Sequence, residues 1–302
     1  MLGSFLNTIT GSLLIIAVTM MATMGIALIF KTSTTTNFAQ GSIAALGAYV
    51  TTFLLAGTNL PLWAALILAV FIGTALGVLV DVGIFRRGRN VNVVGKQIIT
   101  MGLVSIIIAG IPMIFGADIP PNLPPFIPGN FSFDVFGTEV TITYHAMVSI
   151  VITAVVLGLL FFLLYRSKWG LGVRVTASRE STAELVGVNT FVITATSWGI
   201  AAGLAVIAAV MLGGTGIMMS PAFMTRIQVN SFLAGILGGF STFYGPVVGA
   251  VLIPLSVAVV GFFGRFSPFF QDWADVIVYV IMLIIILIKP QGLFGKKIVK
   301  KV

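Results

Sequence analysis

Apolar stretches close to twenty residues long recur along almost the whole chain, separated by short polar joints. About 20 apolar residues is the length an α-helix needs to cross the hydrocarbon core of a bilayer. Only 8% of the 302 residues are charged, and 58% are hydrophobic. A water-soluble domain carries far more charge on its surface, so a soluble fold is excluded. Inside hydrocarbon only helices and closed barrels satisfy their own backbone polar groups. The runs lack period-two alternation, which selects helices over a barrel. The chain therefore reads as a single all-α, polytopic membrane domain over 1–302, with eight to ten transmembrane helices.

The spans fall at about 9–30, 37–57, 61–85, 98–115, 144–165, 191–212, 229–240, 246–263 and 274–288. The seventh is short and glycine-rich, the pattern of a re-entrant or broken segment. The first run lacks a basic leader and a small-residue cleavage site, so it reads as a retained helix.

Charge sets the orientation. Lys31, Arg86, Arg87, Arg89 and Lys96 sit in two connections, and Arg166, Lys168, Arg174 and Arg179 in another. Lys289, Lys296, Lys297, Lys300 and Lys301 end the chain. These spans put all of them on one face and leave Arg226 and Arg265 on the other. The positive-inside rule makes the first face cytoplasmic, with the N-terminus outside and the C-terminus inside a plasma (or bacterial inner) membrane. Asp118, Asp134, Glu139, Asp272 and Asp275 then lie outside. The net charge of +8 reflects this topology and contact with anionic lipid, not nucleic-acid binding.

Two stretches break the hydrophobic pattern. Residues 116–143 are proline-rich and end in an alternating segment, which predicts a short external hairpin. It reads either as a docking surface for an external partner or as a lid over helix ends. Residues 166–190 lie on the cytoplasmic side and contain a short amphipathic helix near 178–186. Ser178 is placed to cap its start and Gly187 to supply its left-handed stop. Ala183, Leu185 and Val186 form a small apolar face. A helix this short does not form alone, so it packs on its own bundle or on another protein.

The 34 glycines concentrate near 41–47, 213–216 and 235–249. They read as close helix packing or as broken helices lining a route. The segments 41–49 and 235–245 echo one another loosely.

The chemistry available is narrow. There is no cysteine, so disulfides, thiolate metal sites and thiol nucleophiles are excluded. His145 is the single histidine, which leaves no metal cluster and no Ser/His/Asp arrangement. There is no phosphate-binding Gly-x-x-x-x-Gly-Lys-Ser/Thr loop, so if ATP drives transport another polypeptide must hydrolyse it. No acidic residue sits at mid-span, which argues against a proton-driven carrier. Asp81 lies about one turn from a cytoplasmic helix end, where a local ion pair with Arg86 and Arg87 is expected. No cofactor or metal is implied. Asn37 and Gln40 open the second span as amides close to the membrane, followed by small residues at Gly41, Ala44 and Gly47. They read as a helix cap or as part of an aqueous route.

Four segments in order resemble one family. They are Asn37-Phe-Ala-Gln-Gly41 running on to Gly47-Ala-Tyr49, Gly170-Leu-Gly-x-Arg174 with Ala183–Asn189, Gly238–Pro246 with Gly249, and Lys289–Gly295. Together they are similar to the membrane permease subunits of branched-chain amino-acid ABC importers. Arg179 stands where that family often has an acidic residue, and Arg87 where a proline usually follows the basic position. The resemblance implies two related permease subunits around a central pathway, ATPases on the cytoplasmic side and an external binding protein. It implies an ATPase-coupling role for Ser178, Glu180, Ala183, Glu184, Leu185 and Gly187. It implies a translocation pathway near Asn37, Gln40, Gly41, Gly47, Gly238, Gly239 and Ser241. Permeases for urea and amides share these motifs. An ion-coupled secondary carrier and a non-transport scaffold are the rival readings.

Overall fold

The computed structural model describes residues 1–88, 91–116, 122–135 and 137–295. Arg89, Asp118, Lys296, Lys297, Lys300 and Lys301 lie outside the described residues. The order of elements is α1 (Leu2–Ser33), α2 (Gln40–Gly57), α3 (Leu62–Val80, continued by a π turn at Asp81–Phe85) and α4 (Val93–Phe115). The hairpin strands β1 (Asn130–Val135) and β2 (Thr138–Thr143) follow, then α5 (Tyr144–Arg166), α6 (Lys168–Ser178), α7 (Glu180–Leu185) and α8 (Thr190–Gly213). The chain closes with α9 (Thr225–Gly238), α10 (Tyr244–Phe262), α11 (Pro268–Asp272) and α12 (Ala274–Ile288).

Among the described residues, 7 helices are long and apolar enough to cross a membrane: α1, α2, α3 with its π turn, α4, α5, α8 and α10. α12 is apolar but has 15 residues, and α9 has 14. Each expected span has a helix here, and the boundaries move where a cap decides them. α4 starts at Val93, ahead of the expected 98, because Asn92 Oδ1 accepts the Gly95 N–H at 2.7 Å. α5 and α8 open on Thr143 and Asn189, whose side chains accept from Ala146 and Val192. Each such cap satisfies an N–H that the helix start leaves unpaired.

α8 is the axis of the bundle. Of its apolar window 83% is buried, against 17% for α4, which forms a rim. Small residues let neighbours reach it: a Cβ on Gly47 of α2 or Gly73 of α3 would collide with Val206, and one on Gly77 with the Trp198 carbonyl. Trp198 stacks on Phe85 at 4.7 Å between ring centroids.

The two ends of the bundle differ. At one, the antiparallel hairpin lies on the start of α1: Asn7 Nδ2 donates to Glu139 O and Thr141 N to Asn7 Oδ1, both at 3.0 Å. His145 ties the 122–128 loop to the end of α8 there. Its Nδ1 accepts from Phe126 N at 3.0 Å and its Nε2 meets Met211 O at 2.8 Å. Both bonds hold together only with the proton on Nε2. The other end gathers Lys31, Arg86, Lys96 and Arg174 around two polar pockets.

α1 and α8 run antiparallel, and each is followed by a non-helical segment of loop and turns that leads back into the bundle. Residues 34–39 leave the basic end along α4: Gln97 Nε2 donates to Thr36 Oγ1 at 3.3 Å, and Phe38 N to Thr100 Oγ1 at 3.2 Å. Residues 214–224 leave the hairpin end along α2, where Tyr49 Oη donates to Met219 O at 3.3 Å. The two segments deliver the starts of α2 and α9 to one place, where the Met224 carbonyl lies against Gly41. From there α2 runs toward the hairpin end, with Tyr49 and Phe53 against Phe115. α9 runs toward the basic end, where Leu237 O and Gly238 O accept from Leu293 N and Phe294 N. The counterpart of Gly41 in the second half is therefore the start of α9. The echo in 235–245 covers the last turn of α9, the glycine turn after it and the start of α10.

Candidate functional site

Where α2 and α9 meet, four amide and hydroxyl side chains form a buried chain of hydrogen bonds. Gln40 Nε2 donates to the Ala201 carbonyl at 2.7 Å. Ala201 is at the middle of α8, so this bond lies at mid-depth of the bundle. Asn37 Nδ2 donates to Gln40 Oε1 at 3.0 Å, and Asn37 Oδ1 accepts from Ala39 N at 2.9 Å. Gln228 Nε2, from α9, donates to the Asn37 carbonyl at 3.1 Å. Thr100 Oγ1 of α4 joins at Phe38 N. Asn37 and Gln40 are 0% and 1% exposed. Their polar atoms are spent on the protein, as burial in an apolar setting requires. Asn37 forms a turn one step ahead of α2, whose own N-cap is Ala39 with no side-chain bond.

Beside this chain opens a cleft of about 370 Å³ between α2, α4 and α9. Gly41 and Ser42 form its floor, Thr225 and Gln228 one side, and Met101, Val104 and Phe232 its apolar walls. It opens sideways over the exposed side chains of Met101 and Val229. On the other flank of α9 a second cavity of about 450 Å³ is lined by Ser12, Asn230 and Arg226. Arg226 pairs with Asp275 at 2.6 Å, and Asn230 accepts from Tyr279 Oη at 2.6 Å.

The other sequence-predicted pathway residues lie elsewhere. Gly47 is packed on Val206 of α8. Gly238, Gly239 and Ser241 are at the basic end, about 16 Å down α9 from Gln228 at 1.5 Å per residue. There the closing segment docks onto the glycine turn. Gly239 and Gly292, with φ of 88° and 79°, meet backbone to backbone, and any side chain on either would collide with the other segment. Ser241 O accepts from Lys31 Nζ at 2.9 Å, and Ser241 Oγ donates to Phe294 O at 3.4 Å.

The 166–190 stretch forms two helices, not one. α6 continues to Ser178 because it is docked along its length. Gly170 lies against the Leu163 and Leu164 carbonyls, Gly172 against Ile193, and Arg174 Nη1 donates to Leu164 O at 2.6 Å. Ser178 is thus the last residue of α6 and not a cap. Arg179, extended at φ −159°, separates it from α7. Gly187 is left-handed at φ 80° as expected, and Val188 N donates to Ala183 O at 2.9 Å to close the helix. The expected apolar face divides: Ala183 is 0% exposed, while Leu185 and Val186 are 88% and 66% exposed. Glu184 Oε1 accepts from Thr190 Oγ1 at 2.9 Å. Glu180 reaches a small pocket shared with Asp81, Arg86 and Lys96. Asp81 is buried and accepts from Thr194 Oγ1 at 3.2 Å.

Sequence reasoning missed Gln228, Thr225 and Thr100. The available signal was the amide at Gln228, one residue before the expected seventh span. A hydropathy boundary at 229 placed it outside the membrane.

Comparison with known proteins gives a consistent answer. The model of the branched-chain amino acid transport system permease component matches residues 8–286. The chain is similar to the high-affinity branched-chain amino acid transport system permease protein BraD of Pseudomonas aeruginosa, 27% identical over 88% of each chain. It is similar to the probable branched-chain amino acid transport permease protein LivH of Methanocaldococcus jannaschii, 25% identical over 90% of this chain and 87% of that one. LivH of Escherichia coli K12 is 25% identical over 88% and 87%. No solved structure matches the chain. With two interrupted segments meeting at mid-depth of an apolar helical bundle and a family match over nearly its whole length, this multi-pass membrane protein belongs to the branched-chain amino acid transport system permease component family.

Proposed function

We propose that this chain is the membrane-spanning subunit of an ATP-binding cassette importer that carries branched-chain amino acids into the cytoplasm. The basic end faces the cytoplasm and the hairpin end faces outward, in line with the distribution of Lys and Arg. The chain performs no hydrolysis; separate ATPase subunits drive it, and an external binding protein delivers the substrate at the hairpin end.

The observation that carries the reading is α7. Six residues make a helix too short to stand alone. It is anchored by Ala183 beneath and the Gly187 stop behind, and it offers Leu185 and Val186 outward from the basic end. Two bulky apolar side chains held out on a braced turn suit insertion into a groove of an ATPase. The Glu180 pocket links α7 to the ends of α1, α3 and α4, which gives a push on α7 a route into the bundle. The sideways opening of the cleft suits closure by a second permease subunit, identical or homologous, around a shared pathway.

The test is purification of the chain from its native membrane, identification of co-purifying subunits and reconstitution in vesicles. The expected result is an ABC ATPase and a second permease. Uptake of L-leucine, L-isoleucine and L-valine should need ATP and the binding protein and survive collapse of ion gradients. Urea should not be taken up. Uptake without an ATPase, abolished by collapsing an ion gradient, would replace this reading with a secondary carrier.

A further inference from the structure

The cleft beside Gly41 is bounded by two helix starts. α2 and α9 begin in contact and run to opposite ends of the bundle, so both N-termini open toward one volume at mid-depth. Neither start is capped by a side chain: the N-cap residues are Ala39 and Met224. The N–H groups of Gly41 and Ser42, which line the cleft, have no hydrogen-bond partner among the described residues. Neither do those of Arg226 and Ile227 in the first turn of α9, which reaches the cleft through Ala222 and Thr225 and carries Arg226 and Ile227 on the side of the second cavity. A helix start carries about half a positive charge, and here two face the same space. No acidic or basic side chain lines the cleft to offset them.

A second observation points to a ligand with a donor as well as a charge-bearing acceptor. Gln228 is 9% exposed and lines the cleft. Its Nε2 is committed to the Asn37 carbonyl, which fixes the orientation of the amide. Its Oε1 then points to the floor of the cleft, 3.1 Å from where a Cβ on Gly41 would stand, and has no partner among the described residues. An acceptor that faces an apolar cleft and has no protein donor is open to a donor brought by a ligand. The chain from Ala201 through Gln40 and Asn37 to Gln228 holds that oxygen in place. The remaining walls, Phe38, Met101, Val104, Ile108, Val229 and Phe232, are apolar. The volume of about 370 Å³ lies in the range of small-molecule sites.

We infer that this cleft is a station for a free α-amino acid in transit. The carboxylate sits on the paired starts of α2 and α9, the ammonium donates to Gln228 Oε1, and an aliphatic side chain lies against the α4–α9 wall. The site recognises the zwitterionic backbone as well as the apolar side chain. It rests on the amino-acid import reading above, and it adds where and by which groups the substrate is held.

The experiment uses the assembled importer in lipid vesicles and an L-leucine analogue with a diazirine in its side chain. After illumination, adducts are mapped by mass spectrometry, with L-leucine, L-leucinamide and 4-methylpentanoate as competitors. Adducts are expected on the peptides carrying Met101, Val104 or Phe232, displaced by L-leucine. Loss of one charge-assisted hydrogen bond should make leucinamide and 4-methylpentanoate about tenfold weaker competitors. Met101→Trp, which fills the apolar wall from a half-exposed position, should cut both labelling and ATP-driven uptake at an unchanged melting temperature. Gln228→Leu should lower uptake by about tenfold on the same basis. Wild-type uptake together with adducts only outside the cleft, or with unaltered uptake by both variants, overturns the site and leaves the import function standing. Absence of any branched-chain amino-acid uptake by the wild-type importer overturns the function and the site together.

Discussion

The side-chain amide of Gln40 donates to the carbonyl of Ala201, 2.7 Å away and 161 residues further along the chain. It fastens the start of α2 to the middle of α8, and through Asn37 and Gln228 it also fastens α9. Replacing Gln40 by Leu removes the donor to Ala201 and strands Asn37 Nδ2 in an apolar interior. The expected loss is about 1–3 kcal/mol, the cost of a buried polar group left without its partner. Thermal unfolding of the detergent-purified variant measures it. A melting temperature equal to wild type would mean that the network does not hold the two helix starts.

Under the proposed coupling role, two substitutions in α7 separate contact with an ATPase from stability. Leu185→Asp changes an outward-facing side chain and should abolish stimulation of the partner ATPase while the permease stays folded. Ala183→Asp buries a charge beneath the same helix and should lower the melting temperature. Stimulated ATPase activity is the readout for the first variant and thermal unfolding for the second. Full stimulation by the Leu185→Asp permease would remove α7 from the coupling path.

Gly249 of α10 faces the Ala234 carbonyl of α9 so closely that a Cβ has no room. Gly249→Val should force the two helices apart at a cost of about 1–3 kcal/mol or more, the range for overpacking a dense interface. Gly158 in α5 has nothing within 4 Å of its own Cβ position. Gly158→Ala should be neutral or stabilising by up to about 1 kcal/mol, the difference in helix propensity. Paired melting curves decide it, and equal effects of the two changes would rule out close α9–α10 contact.

His145 bridges Phe126 N and Met211 O at the hairpin end. His145→Leu leaves a buried donor and a buried acceptor unpaired, which should cost about 1–3 kcal/mol per group. It should also free the 122–128 loop, so limited proteolysis near Phe126 is expected to speed up. Unchanged cleavage would show that Trp63, stacked on Phe126 at 4.8 Å, holds the loop without the histidine.

The sequence by itself determined the class of fold, the position of each apolar helix and the sharing of basic charge at one end. Hydrocarbon demands long apolar helices with their backbone bonds satisfied internally, so this information is written in local composition. The left-handed Gly187 and the hairpin over 130–143 were legible for the same reason: turn chemistry is local. The tertiary structure alone decided how the amides are used. Whether Asn37 and Gln40 cap, line a route or brace the bundle depends on Ala201 and Gln228, which are brought up by a chain reversal beyond α8. Ser178 ends a helix, where local sequence suggested it starts one, because α6 is held by carbonyls of α5 and a side chain of α8. The meeting of α2 and α9 has no local signature. It arises where two non-helical segments enter from opposite ends and stop against one another, a relationship set by packing between residues nearly two hundred positions apart.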